Sequence, residues 1–353
     1  MERLTEEITG FLKDAGFECS VQMRHGLEVV CTVTLDGHHD RVILPIEIEA
    51  LSPEQAASQA ENALESIRMI NSYDGEYPLI ITRDRWERQR EMMQKRLLAH
   101  LELFLPVYAR NCEVRKIDKT AAREFLEKNH SYGYAACRYC YGLFFKRHTG
   151  HIAQMMEGGF ADNGRKDMSG IEEDVPGSRE DMSGTLMAVA TFSNARKWIK
   201  GERTIRSYEW TRYASLPEVR LSGGMGRLMK TFIKEVCPDD LMSYADLEWS
   251  KGDVYRRLGF EQEGTKEPVM FVVDDWWRRF PVKPGMTEVE PGMTRVKPGM
   301  TGERTGMTEE RTGMTRAETE MTGEPGMTRV ETGMRFFRNF GSNKFRLKLT
   351  DYE

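Results

Sequence analysis

The segment that decides the fold is RSYEWTRYASLPEVRLSGGMGRLMKTFIKE at residues 206–235, continued by LMSYADLEWSKGDVYRRLGF at 241–260. Its pattern predicts an alternating strand, a glycine-rich turn that opens an amphipathic helix, a second strand and a short helix. A helix that begins in such a turn exposes backbone N–H groups where anions bind. Gly223, Gly224 and Gly226 carry no side chains to hold a phosphate away from that backbone. The segment therefore predicts an anion site, although glycine turns also occur for packing alone.

Length and composition exclude several classes of protein. The 353 residues suffice for two domains of ordinary size, at about 150 residues each. There is no run of about 18 apolar residues and no charged start before an apolar core, so we expect a cytoplasmic protein without a membrane span. The six cysteines are scattered, which is typical of a reducing compartment rather than of a disulfide framework.

Charge is distributed unevenly along the chain. The net charge of −5 argues against a protein that coats nucleic acid indiscriminately. Between residues 190 and 234, however, ten Lys and Arg outnumber three Glu, and residues 335–349 combine five basic residues with four Phe and no acid. Basic residues interleaved with aromatic ones suit DNA as a partner. The alternative, weighted equally, is that the aromatic residues face a core and the charges face water.

Residues 1–105 predict a first, smaller domain of the order αβββαβ, followed by a further helix. The apolar positions of residues 4–12 predict the first helix, and the second is expected to open at Ser52. Asp84 is expected to cap a long basic helix that continues to Leu103. The predicted strands are rich in β-branched residues: FECSVQM (17–23), LEVVCTVTL (27–35), RVILPIEIEAL (41–51) and YPLIIT (77–82).

A second domain is expected to occupy residues 106–284 together with 334–353. NCEVRKID at 111–118 predicts its first strand, and Thr120 is expected to cap the helix that follows. YGLFFK (141–146) and TLMAVATF (185–192) predict the two arms of a hairpin.

Two repetitive tracts do not belong to this plan. A seven-residue repeat recurs in a loop insertion at 152–184 and again at 285–333, where the unit is Gly-Met-Thr. Each unit offers one methionine beside a Gly and often a Pro, so no continuous coiled-coil seam can form. Such a composition cannot offset the chain entropy and predicts disordered insertions. Long insertions in surface loops are tolerated because the closure entropy grows slowly with length.

Residues 112–273, together with 335–349, resemble a Gcn5-related N-acetyltransferase (GNAT) fold, and more closely its Mom-like phage DNA-modification branch, which is found fused to Hef-like homing endonucleases. The resemblance rests on NH (129–130), YEWTRYA (208–214), SGGMG (222–226), SYADLEWSKGDVY (243–255) and RRLGF (256–260). It implies a GNAT-like mixed sheet flanked by helices, whose glycine turn cradles the pyrophosphate of acetyl-CoA or a related CoA donor. The cofactor-binding residues that it implies are Arg220, Ser222, Gly223, Gly224, Met225, Gly226 and Arg227.

The same resemblance implies catalytic roles. Tyr255 corresponds to the tyrosine that can protonate the leaving thiolate, Ser243 and Asp246 to the SYAD motif at a strand end, and Arg212 to the arginine on the preceding strand. Chemically, a carboxylate at a strand end can deprotonate an amine, and a neighbouring arginine suits an anion. The structural alternative is that Tyr255 packs under the sheet and Asp246 caps the following helix. His130 is expected to contact the substrate or to cap a turn.

The element order of the first domain resembles that of PD-(D/E)xK nucleases, and residues 27–49 are similar to the site of very-short-patch-repair and Hef-like nucleases. Glu28 falls where those families carry an Asp, and Glu47 falls on their second acid. The resemblance implies Glu28 and Glu47 as Mg²⁺ ligands of an endonuclease. Because position 28 is Glu and the Lys of the motif is missing, a degenerate domain used for binding or scaffolding is favoured.

One further motif invites a metal interpretation. Cys137 and Cys140 form a C-x-x-C pair, and His148 and His151 follow on the other side of a predicted strand. The spacing departs from common zinc-finger patterns. Buried thiols are the simpler interpretation.

Together these patterns predict an α+β protein of phage or mobile-element type. The leading hypothesis is a DNA-acting enzyme that transfers an acyl-type group from a CoA-type donor to a nucleobase amine. The alternatives are a metal-dependent DNA endonuclease and a non-catalytic DNA-binding module.

Overall fold

The computed structural model describes residues 2–33, 40–75, 77–146, 184–282 and 334–351. Over these residues the chain is a mixed α+β protein, as the sequence predicts, and its two largest sheets have four and eight strands. The predicted insertions at 152–184 and 285–333 lie outside the described residues except for Gly184, as do His148 and His151. None of the described helices is long and apolar enough to cross a membrane.

The N-terminal unit contains α1 (Leu4–Asp14), β1 (Cys19–Arg24), β2 (Leu27–Val33), β3 (Asp40–Ile46), α2 (Pro53–Asp74), β4 (Leu79–Thr82), α3 (Arg83–Arg88) and α4 (Arg90–His100). The sheet has the order β1-β2-β3-β4, antiparallel except for the parallel pair of β3 and β4. Neighbouring residues of a strand point to opposite faces. Ile43 therefore packs with α1 and α4 on one face, while Leu44 packs with α2 on the other.

The helix starts of this unit are partly as predicted. The Ser52 hydroxyl accepts a hydrogen bond from the Gln55 N–H at 3.3 Å, and α2 begins at the following proline. The prediction of one long helix capped by Asp84 is wrong. Two helices meet at Gln89, and Asp84 is a buried partner of Arg279, because the contact between the two units places a cation there.

The second unit contains β5 (Leu105–Tyr108), β6 (Cys112–Lys116), α5 (Lys119–Asn129), β7 (Tyr139–Phe145), β8 (Leu186–Phe192), β9 (Arg196–Lys200), β10 (Arg203–Ser215), β11 (Val219–Ser222), α6 (Gly224–Val236), β12 (Asp240–Asp246), α7 (Asp253–Arg257), β13 (Glu261–Lys266), β14 (Met270–Val273), β15 (Arg279–Pro281), β16 (Arg335–Arg338) and β17 (Ser342–Lys348). Asp118, rather than Thr120, caps α5, because its carboxylate accepts a hydrogen bond from the Ala121 N–H at 2.8 Å.

The large sheet has the order β13-β17-β12-β10-β8-β7-β6, and β9 pairs with β10 outside this path. Its neighbours are antiparallel except for β10 and β12, which are parallel. The predicted hairpin of β7 and β8 is confirmed. The last strand, β17, inserts between β12 and β13, so residues after the repeat tract complete a sheet that begins before it.

The two faces of the large sheet are covered differently. On one, called the α6 face, the Phe232 ring stacks on Phe192 with centroids 3.9 Å apart. On the other, called the α5 face, Leu126 packs beside Val189, over the part of the sheet formed by β7 and β8. A groove remains on the α5 face next to β9, β12 and β17.

The C-terminal segment connects the two units. This segment forms two strands, of which β16 joins β14 and β15 in a separate sheet and β17 joins the large sheet. Phe337 and Phe340 of this segment, with Val273 of β14, enter the core of the N-terminal unit beside α2. β5 and β11 form another small parallel pair.

Candidate functional site

A cleft opens between the two parallel strands at the centre of the large sheet. β10 and β12 pair only over residues 207–209 and 240–242. Beyond that point β10 continues with β8 through a bulge between Trp210 and Arg212, while β12 continues with β17 as far as Asp246. Among the described strands, the backbone groups that face the cleft have no ladder partner there. An extended ligand can therefore bond to them.

The turn before α6 needs glycine for its geometry. Gly223 precedes the helix in the left-handed region, at φ 79°. A Cβ on Gly224 would come within 2.7 Å of the Leu221 side chain and 3.2 Å of the Tyr213 hydroxyl. β10, β11 and α6 therefore approach one another too closely here for a side chain.

The N-terminus of α6 is accessible. Ser222 and Gly223 are exposed, and no side chain of a described residue caps this helix. A groove of about 510 Å³ lies along its first turns, lined by Gly223, Gly226, Arg227, Lys230, Thr231 and Lys234. Three of these side chains are cations, and the helix terminus adds partial positive charge. The groove is therefore suited to an anion.

The remaining predicted cofactor-binding residues surround this terminus. Met225 packs against the core rather than across the turn. Arg220 lies on the strand that leads into the turn, with its guanidinium 4.9 Å from the centroid of the Phe104 ring. Arg227 donates a hydrogen bond to the Ala109 carbonyl at 2.6 Å, which fixes the side chain at the edge of the groove.

Ser243 and Tyr255 form a pair on the α6 face of the cleft. Their hydroxyl oxygens are 2.9 Å apart, and the Ser243 oxygen also lies 3.1 Å from the Trp210 carbonyl, so the pair links β12 to β10. The Tyr255 ring packs under the sheet, stacked on Phe345 with centroids 5.2 Å apart. Burial raises the pKa of Tyr255, so its hydroxyl stays protonated at neutral pH.

Asp246, Arg212 and His130 lie on the opposite, α5 face. Side chains alternate along β12, so Ser243 and Asp246, three residues apart, point to opposite faces. Apart from the adjacent Glu248, the groups that act on the Asp246 carboxylate come from the loop after α5 and from the N-terminal unit, which agrees with this placement. The predicted catalytic residues are thus divided between the two faces of the sheet, on either side of the cleft.

Arg212 positions the loop of residues 130–134. Its Nε donates to the Gly133 carbonyl at 3.1 Å and its Nη1 to the Thr211 carbonyl at 2.8 Å. Gly133 has a φ of 60°, and a Cβ there would lie 2.5 Å from a carboxylate oxygen of Glu127. The loop therefore has one tightly defined path.

His130 is engaged by its own turn. Its Nδ1 accepts a hydrogen bond from the Tyr132 N–H at 3.1 Å, which leaves the proton of the neutral ring on Nε2. Burial, and then the charges of Arg212 and Arg85, lower the pKa of His130 to about 3. The imidazole is neutral at physiological pH, and its contacts are those of a turn cap.

Asp246 is a largely buried carboxylate at the end of β12. Its Oδ1 accepts from the Glu248 N–H at 2.9 Å, whereas Oδ2 makes no hydrogen bond of normal geometry among the described residues, although the Tyr132 hydroxyl interacts with the carboxylate. Burial, and then the negative charge of Glu248, raise the pKa of Asp246 to about 6. A carboxylate with a pKa near neutrality can take up a proton and release it again. α7 is preceded by Gly252, so Asp246 is not its cap.

A buried charge network that sequence reasoning missed joins the two units beside Asp246. Glu248, which is 2% exposed, accepts from Arg85 at 3.1 Å and from Arg279 at 2.7 Å. Arg279 also donates to Asp84 at 2.6 Å. The run RDR at 83–85, directly after the buried strand β4, was the signal that could have found it. Charges at the end of a buried strand need partners.

Glu28 and Glu47 do not form the predicted Mg²⁺ site. Arg83, 1% exposed, donates from Nε and Nη2 to the two oxygens of Glu47, both at 2.9 Å. Glu28 pairs instead with Arg3 at 3.0 Å. No group of three metal-ligating side chains occurs within the described residues. Because a guanidinium already occupies both oxygens of Glu47, these residues do not fit a divalent ion.

Cys137 and Cys140 are buried, and their sulfur atoms are 3.3 Å apart. The Tyr134 hydroxyl lies 3.4 Å from the Cys137 sulfur. The hydrogen bond with Cys140, partly opposed by burial and assisted by Tyr134, lowers the pKa of Cys137 to about 6. The same hydrogen bond, and then burial, raise the pKa of Cys140. The pair is therefore expected to lose its first proton more readily, and its second less readily, than an isolated thiol.

We expect the native protein to show one thiolate below pH 8, with a midpoint near 6, in an ultraviolet absorbance titration. Cys137→Ser is expected to remove this step, and Cys140→Ala to move it upward because the hydrogen-bond donor is lost. Cys112→Ala is the control, since burial raises the pKa of that thiol. A wild-type protein with no thiol ionisation below pH 8 would contradict the pairing.

The groove on the α5 face has a volume of about 370 Å³. Its lining combines four cations with two aromatic rings: Arg196, Lys197, Trp198, Ser207, Met242, Tyr244, Lys344 and Arg346. Lys344 and Arg346 are paired with Glu263, while Lys266 adds a cation 3.7 Å from the centroid of the Tyr244 ring. Lys344 and Arg346 of the basic segment 335–349 therefore line an open face, whereas its Phe337, Phe340 and Phe345 are buried in a core. For these aromatic residues the alternative interpretation, that they face a core, is confirmed.

The fold and the site can be compared with known proteins. Neither a protein-family model nor a curated protein matches the chain. The geometry of the cleft, the glycine turn and Asp246 is therefore what bears on the function.

Proposed function

We propose that this protein transfers an acyl-type group from a CoA-type donor to an amine of a nucleobase in DNA. The observation that carries the proposal is the cleft between β10 and β12, which has the glycine turn and Tyr255 on its α6 face and Asp246 on its α5 face. Donor and acceptor can approach such a cleft from opposite faces and meet between the strands.

The arrangement of the large sheet supports a GNAT-like interpretation. The resemblance implies a mixed sheet flanked by helices, with the glycine turn following a central strand. Here β10 leads, through β11, into the turn and α6, and then into its parallel neighbour β12. The crossover helix α6 packs on one face of the sheet, so its N-terminus lies near the carboxyl end of β10.

The residues around the turn fit the pyrophosphate of a CoA-type donor. The first-turn amides of α6 and the cations Arg227, Lys230 and Lys234 would hold the phosphates. Those backbone groups of the cleft that no side chain engages would hold the extended part of the donor, in the manner of an added strand. Such a donor supplies an activated thioester carbonyl at the reaction centre.

The proposed reaction moves one proton on each face of the sheet. Asp246 Oδ2 takes a proton from the amine as its nitrogen bonds to the thioester carbon. The C–S bond breaks as the C–N bond forms, and the Tyr255 hydroxyl donates its proton to the departing sulfur. Asp246 then loses its proton to water, and Tyr255 regains one. Ser243 holds the Tyr255 hydroxyl at the cleft.

DNA as the acceptor is supported by the groove on the α5 face. Arg196 and Lys197 of β9 stand beside Trp198 and Tyr244, and exposed Ile199 lies on the same strand. Cations beside aromatic rings suit a phosphate backbone with bases that can stack. The groove shares its face with Asp246, so DNA bound there brings a base toward the carboxylate.

Two pairs of charge reversals separate donor binding from DNA binding. Lys230→Glu with Lys234→Glu is expected to weaken CoA binding roughly 10- to 30-fold, since about 1 kcal/mol per contact corresponds to this range. Arg196→Glu with Lys197→Glu, at the lining of the groove on the α5 face, is expected to weaken duplex DNA binding and to reduce its salt slope by about 2. Isothermal titration with CoA measures donor binding, and fluorescence anisotropy with labelled DNA measures DNA binding.

Each pair of variants is the control for the other, because each changes two exposed cations. If both pairs weaken DNA binding equally and neither changes CoA binding, the donor site is wrong and a DNA-binding module remains. Mass spectrometry of nucleosides from DNA incubated with the protein and acetyl-CoA decides the reaction itself. An acyl mass added to one base supports transfer, and unmodified nucleosides argue against this donor.

A further inference from the structure

Four buried polar atoms without a hydrogen-bond partner among the described residues lie at the junction of the two units. They are Arg85 Nη2, Gln89 Oε1, Asp246 Oδ2 and Trp249 Nε1. Buried polar groups are nearly always paired, so a concentration of unpaired ones marks a place where a ligand completes the bonding. Two of these atoms are donors and two are acceptors. The matching ligand is therefore polar and offers both kinds of group.

Arg85 is supplied by the N-terminal unit but is held by the second. Its Nε donates to Glu248 at 3.1 Å and its Nη1 to the Ser131 carbonyl at 3.0 Å. The side chain is 7% exposed, and the guanidinium lies 4.6 Å from the centroid of the Tyr132 ring. These contacts fix the direction in which Nη2 points.

Gln89 belongs to the same cluster. Its Nε2 donates to the Ser131 carbonyl at 3.0 Å, the oxygen that Arg85 also binds. The amide is therefore oriented, and its unpaired oxygen points away from Ser131. The loop of residues 130–134 is thus held from the sheet by Arg212 and from the N-terminal unit by Arg85 and Gln89.

Arg85 and Asp246 carry opposite charges but do not pair with each other. The Tyr132 hydroxyl interacts with the Asp246 carboxylate as a hydrogen-bond donor, and the Arg85 charge acts on it as well; both lower its pKa. Oδ2 nevertheless has no hydrogen bond of normal geometry, and neither has Nη2. A donor and an acceptor so placed can be bridged by one edge of a planar group. The Tyr132 ring, 42% exposed, offers a surface on which that group can stack.

We propose that Arg85, Gln89 and Asp246 form a site, shared by the two units, for a nucleobase edge that carries an amine next to a ring nitrogen. Asp246 Oδ2 accepts a hydrogen bond from the amine, and Arg85 Nη2 donates one to the ring nitrogen. Adenine and cytosine present such an edge once the base leaves the stack. The inference rests on the proposed function, because it brings the acceptor amine to the carboxylate that takes its proton. The N-terminal unit is then a wall of the substrate site.

Ligand-observed NMR on the full chain tests this with 2′-deoxyadenosine and 2′-deoxyinosine, which lacks the amine. We expect wild-type protein to bind deoxyadenosine about tenfold more tightly or better, as for a two-point base contact. Arg85→Lys keeps a charge beside Glu248 but loses the forked donor, and is expected to remove this preference. Gln89→Met leaves the charge network intact but removes the unpaired amide oxygen of the site, and is expected to weaken deoxyadenosine binding in the same direction. Arg68→Lys, at an exposed pair with Glu65, is the matched control and should change neither the affinity nor the preference.

Equal binding of the two nucleosides to wild-type protein would overturn the site. So would unchanged deoxyadenosine binding in Gln89→Met, a variant that stays informative if Arg85→Lys does not fold. Failure of the proposed function looks different, because CoA binding would then be absent while the nucleoside preference persists. CoA binding without any nucleoside preference removes this site alone.

Discussion

Asp246→Asn is expected to reduce transfer to the acceptor amine by about 10²- to 10⁴-fold while leaving the protein at least as stable at pH 7. The amine must lose a proton as it attacks, and asparagine cannot accept one. Asp246 Oδ2 is the unpaired carboxylate oxygen on the acceptor face of the cleft. Mass spectrometry of nucleosides from treated DNA measures the loss of transfer.

The stability of this variant follows from the pKa of the carboxyl group. Folding raises the pKa of Asp246 from its ordinary 3.8 to about 6, so the folded protein binds this proton more tightly than the unfolded chain. The group's contribution to stability is fully present below pH 3.8 and is lost as the pH rises through 6. Asparagine carries no charge to bury and avoids that loss. We expect a gain on the order of 1–3 kcal/mol at pH 7.

Urea unfolding of wild type and Asp246→Asn at pH 4 and pH 7 checks the sign of this stability change. The difference in unfolding free energy between the two proteins should be larger at pH 7, and nearly absent at pH 4. Asp253→Asn is the control, because that carboxylate is exposed and pairs only with Arg256 among the described residues. An Asp246→Asn protein that is destabilised at pH 7, or that still transfers at the wild-type rate, contradicts the proposed base.

Glu248→Ala is expected to have the largest effect on stability, about 3–5 kcal/mol. The alanine leaves Arg85 and Arg279 buried without the carboxylate that both bind. Removing one partner of a buried network leaves an uncompensated charge, which costs far more than losing a surface ion pair. The midpoint of urea unfolding measures the change.

The pH dependence of the Glu248 contribution runs in the opposite direction to that of Asp246. The neighbouring Arg279 and Arg85 outweigh burial and lower the pKa of Glu248 from its ordinary 4.5 to about 2. Its stabilisation is present above pH 4.5 and is lost as the pH falls toward 2. The difference in unfolding free energy between wild type and Glu248→Ala should therefore become smaller in acid.

Glu65→Ala, at an exposed pair with Arg68, is the control and should change stability little. Equal losses in the two variants would rule out the network as a source of stability.

Most of the secondary structure could be read from local patterns. The apolar spacing of α1, the Ser52 cap of α2 and the apolar runs of β7 and β8 each depend on residues close in sequence. Such signals survive without any tertiary context. The errors at Asp84 and Thr120 have the same origin. Both capping residues were predicted from residue type alone. In the structure Asp84 pairs with Arg279, which is distant in sequence, and the Asp118 carboxylate caps α5 in place of Thr120.

The candidate site was predictable only in part. The glycine turn was found because glycine is required by backbone geometry, which a sequence displays directly. The separation of Tyr255 from Asp246 by the sheet follows from alternation along β12, and that required knowing where the strand begins and ends. The engagement of Glu47 by Arg83 and of Glu248 by Arg85 joins residues 36 and 163 positions apart. No local pattern carries such a pairing.

By itself, the sequence determined the α+β class, the strands and helices with strong periodicity, and the turn that exposes the α6 amides. The tertiary structure decided which charges are buried together, that the last strand enters the middle of the sheet, and that the N-terminal unit contributes Arg85 beside Asp246. The physical reason is the distance along the sequence over which each interaction acts. Backbone preferences and apolar periodicity act over a few residues, whereas burial and charge pairing are set by neighbours that only folding brings together.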